Sequence, residues 1–354
     1  MSPAKLNIIQ VFLPAVFAFA AGLTFAPAWL DILIKNKMWK KKPKNLAVSG
    51  EVATVFQKLH GEKESAAPRM GGVVIWASTI TVALLMWTLS QILPNQELLG
   101  NLDFISRSET WIPLFTLLFG GTIGLIDDLL EVRGSSVIGV EGLSLKKRLL
   151  LVSAMAAGCG WWFYEKLEIS TIAIPFANSV DIGPFIILFF ILVMIGTYSG
   201  GIIDGIDGLS GGVFTSIFGA YGLIAFLQDQ FSIAALCFVI SGSIMAFLWF
   251  NLPPAKYYMT ETGTMSLTLT LAVIAFLTDK VLLLVIIAMP LAITPVLNIV
   301  QLLSKKYRGK KIFQITPIHH HFEAKGFPGY QIAMKYWIVS IICALSGVVI
   351  ALLG

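Results

Sequence analysis

Two adjacent carboxylates, Asp127 and Asp128, close an apolar run that starts at Trp111, within GGTIGLIDDLLEVRG at 120–134. A carboxylate at membrane depth costs roughly 2.5–3.5 kcal/mol on insertion scales, and a like charge beside it adds to that cost, so this pair needs a counter-charge. Neighbouring side chains on a helix point about 100° apart, so the two can offer oxygens to a hard cation and to a second group together. A solvated helix end facing the loop from Glu131 is the plainer alternative. In IGTYSGGIIDGIDGLSGG, 195–212, Asp204 and Asp207 lie three residues apart among seven glycines. On a helix they share a face, and the glycines permit the close approach of a nucleobase or phosphate; a re-entrant turn with capping aspartates is the alternative.

Two later stretches add to this set. In FLWFNLPPAKYYMTETGTMSL, 247–267, Asn251 precedes a double proline and Glu261 sits just before an apolar run, where a helix dipole favours it. Tyr257 and Tyr258 suit either stacking on a base or the interfacial aromatic belt. In KKYRGKKIFQITPIHHHFEAKGFPGY, 305–330, His319, His320 and His321 follow Lys305, Lys306, Arg308, Lys310 and Lys311. Consecutive histidines cannot all ligate one metal well, and their neighbours are basic, which favours phosphate contact over zinc.

The elements that carry these residues must be membrane helices. The 354 residues are 56% hydrophobic and 13% charged, with mean hydropathy +0.82, which excludes a soluble domain. Apolar segments recur at 8–30, 71–93, 111–126, 147–165, 183–199, 211–228, 231–250, 263–278, 281–303 and 331–353. The expected fold is all-α: a polytopic integral membrane protein of about ten transmembrane helices, 1–354 forming a single transmembrane domain. The first segment lacks a basic start and a small-residue cleavage site and is read as a span. Segments 31–70, 127–148, 199–210, 251–262 and 304–330 hold 20 of the 25 Lys and Arg, so they are assigned to the cytoplasm and both termini to the outside. Every candidate residue then falls on the cytoplasmic face. The net charge of +5 reflects these loops and gives no reason to expect nucleic acid; it suits anionic headgroups and phosphorylated ligands. Cys159, Cys237 and Cys343 lack paired or metal-ligand spacing and read as packing residues. In the polar stretch 35–72, Lys40–Lys42 read as a lipid-facing anchor, while APRMGG ends in glycines that allow close backbone approach.

APRMGG, GLIDDLLEV, DGIDGLSGG, FLWFN, TETGTMSL and above all RGKKIFQITPIHHHFEAKGFP resemble, in order and over most of the chain, the phospho-N-acetylmuramoyl-pentapeptide transferases of the polyprenyl-phosphate N-acetylhexosamine-1-phosphate transferase superfamily. The resemblance implies a Mg2+-dependent enzyme of the bacterial cytoplasmic (inner) membrane. It would pass phospho-MurNAc-pentapeptide from UDP-MurNAc-pentapeptide to undecaprenyl phosphate, giving lipid I and UMP, in the first membrane step of peptidoglycan synthesis. It also implies a homodimer. By motif position, Asp127, Asp128 and the histidines would be catalytic, Asp128 and Glu261 would hold the metal, and Lys63, Asp204, Asp207, Asn251, Tyr258 and Arg308 would bind substrate. Five positions depart from the family pattern: Tyr198 and Gly201 stand for asparagines, Glu261 for aspartate, Glu131 for lysine and Arg69 for threonine, with Lys63 one residue out of place. The rival readings are a sister GlcNAc-1-phosphate transferase and an ion-coupled transporter, the latter expected to carry midplane carboxylates and internal repeats.

Overall fold

A computed structural model describes residues 2–39, 67–93, 97–105, 108–134 and 142–354. In chain order these form α1 (Pro3–Lys35), α2 (Val73–Ile92), the short α3 (Glu97–Leu102), α4 (Ser108–Arg133), α5 (Leu145–Lys166), a hairpin of β1 (Thr171–Ile172) and β2 (Val180–Asp181), α6 (Phe185–Gly200), α7 (Leu209–Leu227), α8 (Phe231–Asn251), α9 (Thr260–Leu277), α10 (Leu284–Ile287), α11 (Met289–Arg308), α12 (Ile318–Ala324) and α13 (Gly329–Leu353). Among the described residues eight helices are long and apolar enough to span a membrane: α1, α2, α4, α6, α7, α8, α9 and α13. The protein is an all-α, polytopic membrane protein. The segment expected at 147–165 is α5, 22 residues long, with Lys146, Lys147 and Arg148 at its start and Glu165 and Lys166 at its end, so it is less apolar than the rest.

The remaining expected span, 281–303, is broken. Val281–Ile287 and Met289–Arg308 meet at an angle of 81°. Pro290, the second residue of α11, has no N–H to give the Ile286 carbonyl, and its ring crowds that turn, so the helix cannot run through. Hydropathy is blind to such a break because both halves are apolar.

The core is organised around α9, every residue of which from Thr262 to Leu277 is buried. Its many hydroxyls are satisfied inside the helix: Thr264, Thr268 and Thr270 donate to carbonyls four residues back at 3.1, 2.7 and 2.8 Å. Ser266 donates instead across to the Leu117 carbonyl of α4 at 2.9 Å. That crossing is close because Gly120 and Gly124, four apart on α4, press against α9 backbone. A Cβ at Gly124 would lie 2.2 Å from the Glu261 carbonyl oxygen. The carboxylates that follow Gly124 by one turn are thereby delivered to the start of α9.

The segment before α2 is stitched to the segment before α9. Tyr258 N–H donates to the Pro68 carbonyl (2.9 Å), Gly71 N–H to the Tyr258 carbonyl (2.8 Å), and Met70 N–H to the Thr260 hydroxyl (3.1 Å). The aspartate-bearing turn between α6 and α7 is clamped at Gly208, whose φ of +76° suits glycine. Gly208 N–H donates to Asn251 Oδ1 at 3.0 Å, and its carbonyl accepts from Trp337 Nε1 of α13 at 3.0 Å.

Candidate active site

Asp127 and Asp128 are both buried, and they face different partners. Asp128 Oδ2 sits at the start of α9, where it accepts from Thr262 N–H (3.0 Å), the Thr262 hydroxyl (2.6 Å) and the Thr260 hydroxyl. A carboxylate at a helix N-terminus is favoured by the unpaired N–H groups there. Its Oδ1 accepts from Arg69 Nη2 at 3.2 Å, and the same nitrogen donates to Glu131 at 2.7 Å. Arg69 and Glu131, which depart separately from the family pattern, are therefore partners.

Asp127 points the other way. Its Oδ1 accepts from Leu143 N–H, and Gly142, at φ +74°, leaves room for the carboxylate; a Cβ there would lie 2.8 Å from Oδ1. Its Oδ2 lies 3.6 Å from Arg148 Nη1, which donates to Glu261 at 2.5 Å. Four carboxylates are thus matched by two guanidinium groups, each held between one member of the aspartate pair and one further acid.

Asp204 joins this cluster through α9: it accepts from Thr260 N–H at 2.8 Å and from the Ser210 hydroxyl at 2.7 Å. Burial pushes its carboxyl above the usual range, opposed by these two bonds and by Arg69. Thr260 therefore connects Asp128, Asp204 and Met70, and it does so at φ +56°, a strained conformation for a β-branched residue. Asp207 accepts from Ala255 N–H at 3.1 Å, and Asn251 spans Gly208 and the Tyr257 carbonyl (2.8 Å). In this arrangement Asp204, Asp207 and Asn251 hold loops together.

The histidine run forms α12 and packs on the same aspartate turn. A side chain at Gly205 would meet His319 Nε2 at 2.5 Å and His320 Nε2 at 2.8 Å, so only glycine lets the rings lie against this backbone. His320 Nδ1 pairs with Glu323 at 2.7 Å, and His321 Nδ1 accepts from Gln314 N–H at 3.2 Å. Burial, followed by Lys325, holds His321 below the usual imidazole pKa.

The expected site residues therefore separate. Asp127, Asp128, Glu261, Asp204, His319 and His320 converge; Tyr258 is half-buried beside Pro68, and Tyr257 is a core residue stacked on Phe247. Arg308 is exposed at the end of α11, with no ion pair to a described carboxylate. Lys63 lies outside the described residues. Arg148, Thr260 and Thr262 were not expected. Arg148 ends a Lys-Lys-Arg run that reads as an ordinary cytoplasmic flank, and Thr260 and Thr262 read as ordinary helix-start residues.

Among the described residues no three His, Cys, Asp or Glu side chains form a ready metal cage. Mg2+ commonly takes only one or two protein carboxylates and completes its shell from phosphates and water. Asp127 and Glu261, which face one cationic nitrogen, fit that requirement. Asp128, expected as a ligand with Glu261, has Oδ2 held by Thr260 and Thr262 and Oδ1 against Arg69, just as Asp127 has Oδ1 held by Leu143 N–H and Oδ2 against Arg148.

A family model described as Glycosyl transferase family 4 matches residues 110–279. The phospho-N-acetylmuramoyl-pentapeptide-transferase of Levilactobacillus brevis is 33% identical over 347 residues, covering 96% of this chain and 98% of that protein. Its namesake from a Geobacillus species is 31% identical over 82% of this chain and 85% of the relative. The one from Anoxybacillus flavithermus is 29% identical over 95% and 98%. With relatives 31% and 33% identical covered over most of their own length and of this chain, the chain belongs to the phospho-N-acetylmuramoyl-pentapeptide-transferase family.

Proposed function

We propose that this protein is the Mg2+-dependent enzyme that transfers phospho-MurNAc-pentapeptide from UDP-MurNAc-pentapeptide to undecaprenyl phosphate at the cytoplasmic face of a bacterial inner membrane. The observation that carries the reading is the cluster of buried Asp127 and Asp128 with half-buried Glu261, balanced by Arg69 and Arg148 and set beside the histidine run. Such a cluster suits a reaction in which two anions must meet, because the obstacle is charge and alignment more than bond polarity.

An oxygen of the lipid phosphate attacks the β-phosphorus of the nucleotide sugar. The bond from that phosphorus to the bridging oxygen breaks, and UMP leaves with the electron pair. The lipid phosphate, with a second pKa of about 6, is largely ionised near neutrality, so direct attack needs no strong base. Mg2+, held by Asp127 and Glu261, would supply charge neutralisation on the pyrophosphate. Arg148 orients those two carboxylates, and Thr262 with Thr260 fixes Asp128. His320, oriented by Glu323, and His319 present imidazoles across the Asp204–Asp207 turn, where they can donate to phosphate oxygens. Tyr258 stacks on the uracil.

The test is turnover by purified protein offered UDP-MurNAc-pentapeptide or UDP-GlcNAc with undecaprenyl phosphate, with and without Mg2+. The reading expects lipid-linked product from the first donor only, and only with the cation. Preference for UDP-GlcNAc would make the protein the sister transferase.

A further inference from the structure

We infer that Arg69 is an exchangeable counter-ion: its guanidinium rests between Asp128 and Glu131, and on substrate binding it leaves Asp128 for the substrate's phosphates, making Arg69 a substrate-binding residue. The inference rests on the function proposed above and adds a residue to it.

Three features of the resting arrangement support the exchange. Among the described residues Arg69 makes two carboxylate bonds, both through Nη2, with the shorter, at 2.7 Å, going to Glu131 and the longer, at 3.2 Å, to Asp128. Its Nε is buried with no acceptor among the described residues, so a cation with five donors holds an unspent one inside the site. Asp128, for its part, does not need Arg69 to stay in place, since its other oxygen is held by Thr260 and by two donors of Thr262. Losing the guanidinium would leave that carboxylate anchored, negative and free on one side.

The position suits the exchange as well. Arg69 is fixed by its backbone, whose N–H donates to the Met38 carbonyl at 2.8 Å. Its neighbour Pro68 accepts from Tyr258 N–H, so the guanidinium springs from the strand of chain that also fixes the proposed uracil-stacking ring. A nucleotide whose base lies on Tyr258 would carry its phosphates toward the acid cluster, within the domain of an arginine that is 19% exposed. Planar guanidinium groups match phosphate oxygens two at a time, which a carboxylate contact through Nη2 alone does not use.

The exchange predicts effects of opposite sign from one substitution. In purified Arg69→Gln, Mn2+ binding measured by electron paramagnetic resonance without nucleotide should tighten by about tenfold, because a neighbouring positive charge is gone. UDP binding measured calorimetrically with Mg2+ present should weaken by about tenfold, the loss of one charge-assisted hydrogen bond. Uridine, which has no phosphate, should bind wild type and variant alike. Arg69→Lys keeps the charge without the fork and should lie between the two in both measurements; it carries the test if Arg69→Gln does not fold. Parallel weakening of Mn2+, UDP and uridine would mean a structural role and overturn the exchange, as would UDP binding unchanged in both variants. Wild-type protein that binds neither Mn2+ nor UDP would instead remove the proposed function itself.

Discussion

Thr260 shows how one residue ties the site together. It offers its N–H to Asp204 and its hydroxyl to Asp128, accepts from Met70 N–H, and holds a left-handed backbone that a β-branched residue adopts only under constraint. Thr260→Val keeps the shape and removes the hydroxyl, leaving a buried carboxylate one donor short. Turnover should fall by roughly tenfold to a hundredfold, the worth of a hydrogen bond to a charged group, while the amount of protein in the membrane stays close to wild type. Unchanged turnover at limiting Mg2+ would remove Thr260 from the site. Asp127 and Asp128 were legible in the sequence, since they close an apolar stretch and have to be compensated, and Glu261 was reached through the family resemblance. Their partners were not. Arg148 lies 113 positions from Glu261, and nothing in a Lys-Lys-Arg flank says which of the three basic residues turns inward.

At the scale of elements, the approach of α4 to α9 decides where the acids sit. Gly124 has the Glu261 carbonyl where a side chain would begin, so Gly124→Val must push the helices apart, at a cost of about 1–3 kcal/mol for overpacking. Lower thermal stability in detergent and loss of turnover should appear together, because Asp128 then leaves Thr262. Gly158→Ala on α5 and Gly196→Ala on α6, where an added Cβ meets nothing within 4 Å, should change neither. A Gly124→Val protein as stable and active as wild type would contradict the close crossing. The spans were legible from hydropathy because about twenty apolar residues in a row have few alternatives to a membrane helix. The 81° break at Ala288 was not, since proline near the start of a helix is also ordinary, and its effect depends on whether a helix precedes it.

For the molecule as a whole, the ends of α4 and α8, the starts of α2, α7 and α9, and α12 gather at one end of the bundle, as the charge distribution of the loops led one to expect for the candidate residues. Sidedness follows as a prediction. With Cys343 replaced by serine, cysteines placed at Lys147 or Lys310 should react with an impermeant reagent only from the cytoplasm, and one at the exposed Phe176 only from outside. Labelling of position 176 from the cytoplasm would invert the arrangement. The central claim, that the arginine-balanced acids run transfer onto a lipid phosphate, is tested most directly by UMP release from UDP-MurNAc-pentapeptide at saturating Mg2+, comparing wild type with Asp128→Asn, with and without undecaprenyl phosphate. The account predicts release that requires the lipid phosphate and falls by about a hundredfold or more in Asp128→Asn. Lipid-independent release, or an Asp128→Asn protein as fast as wild type, would contradict it.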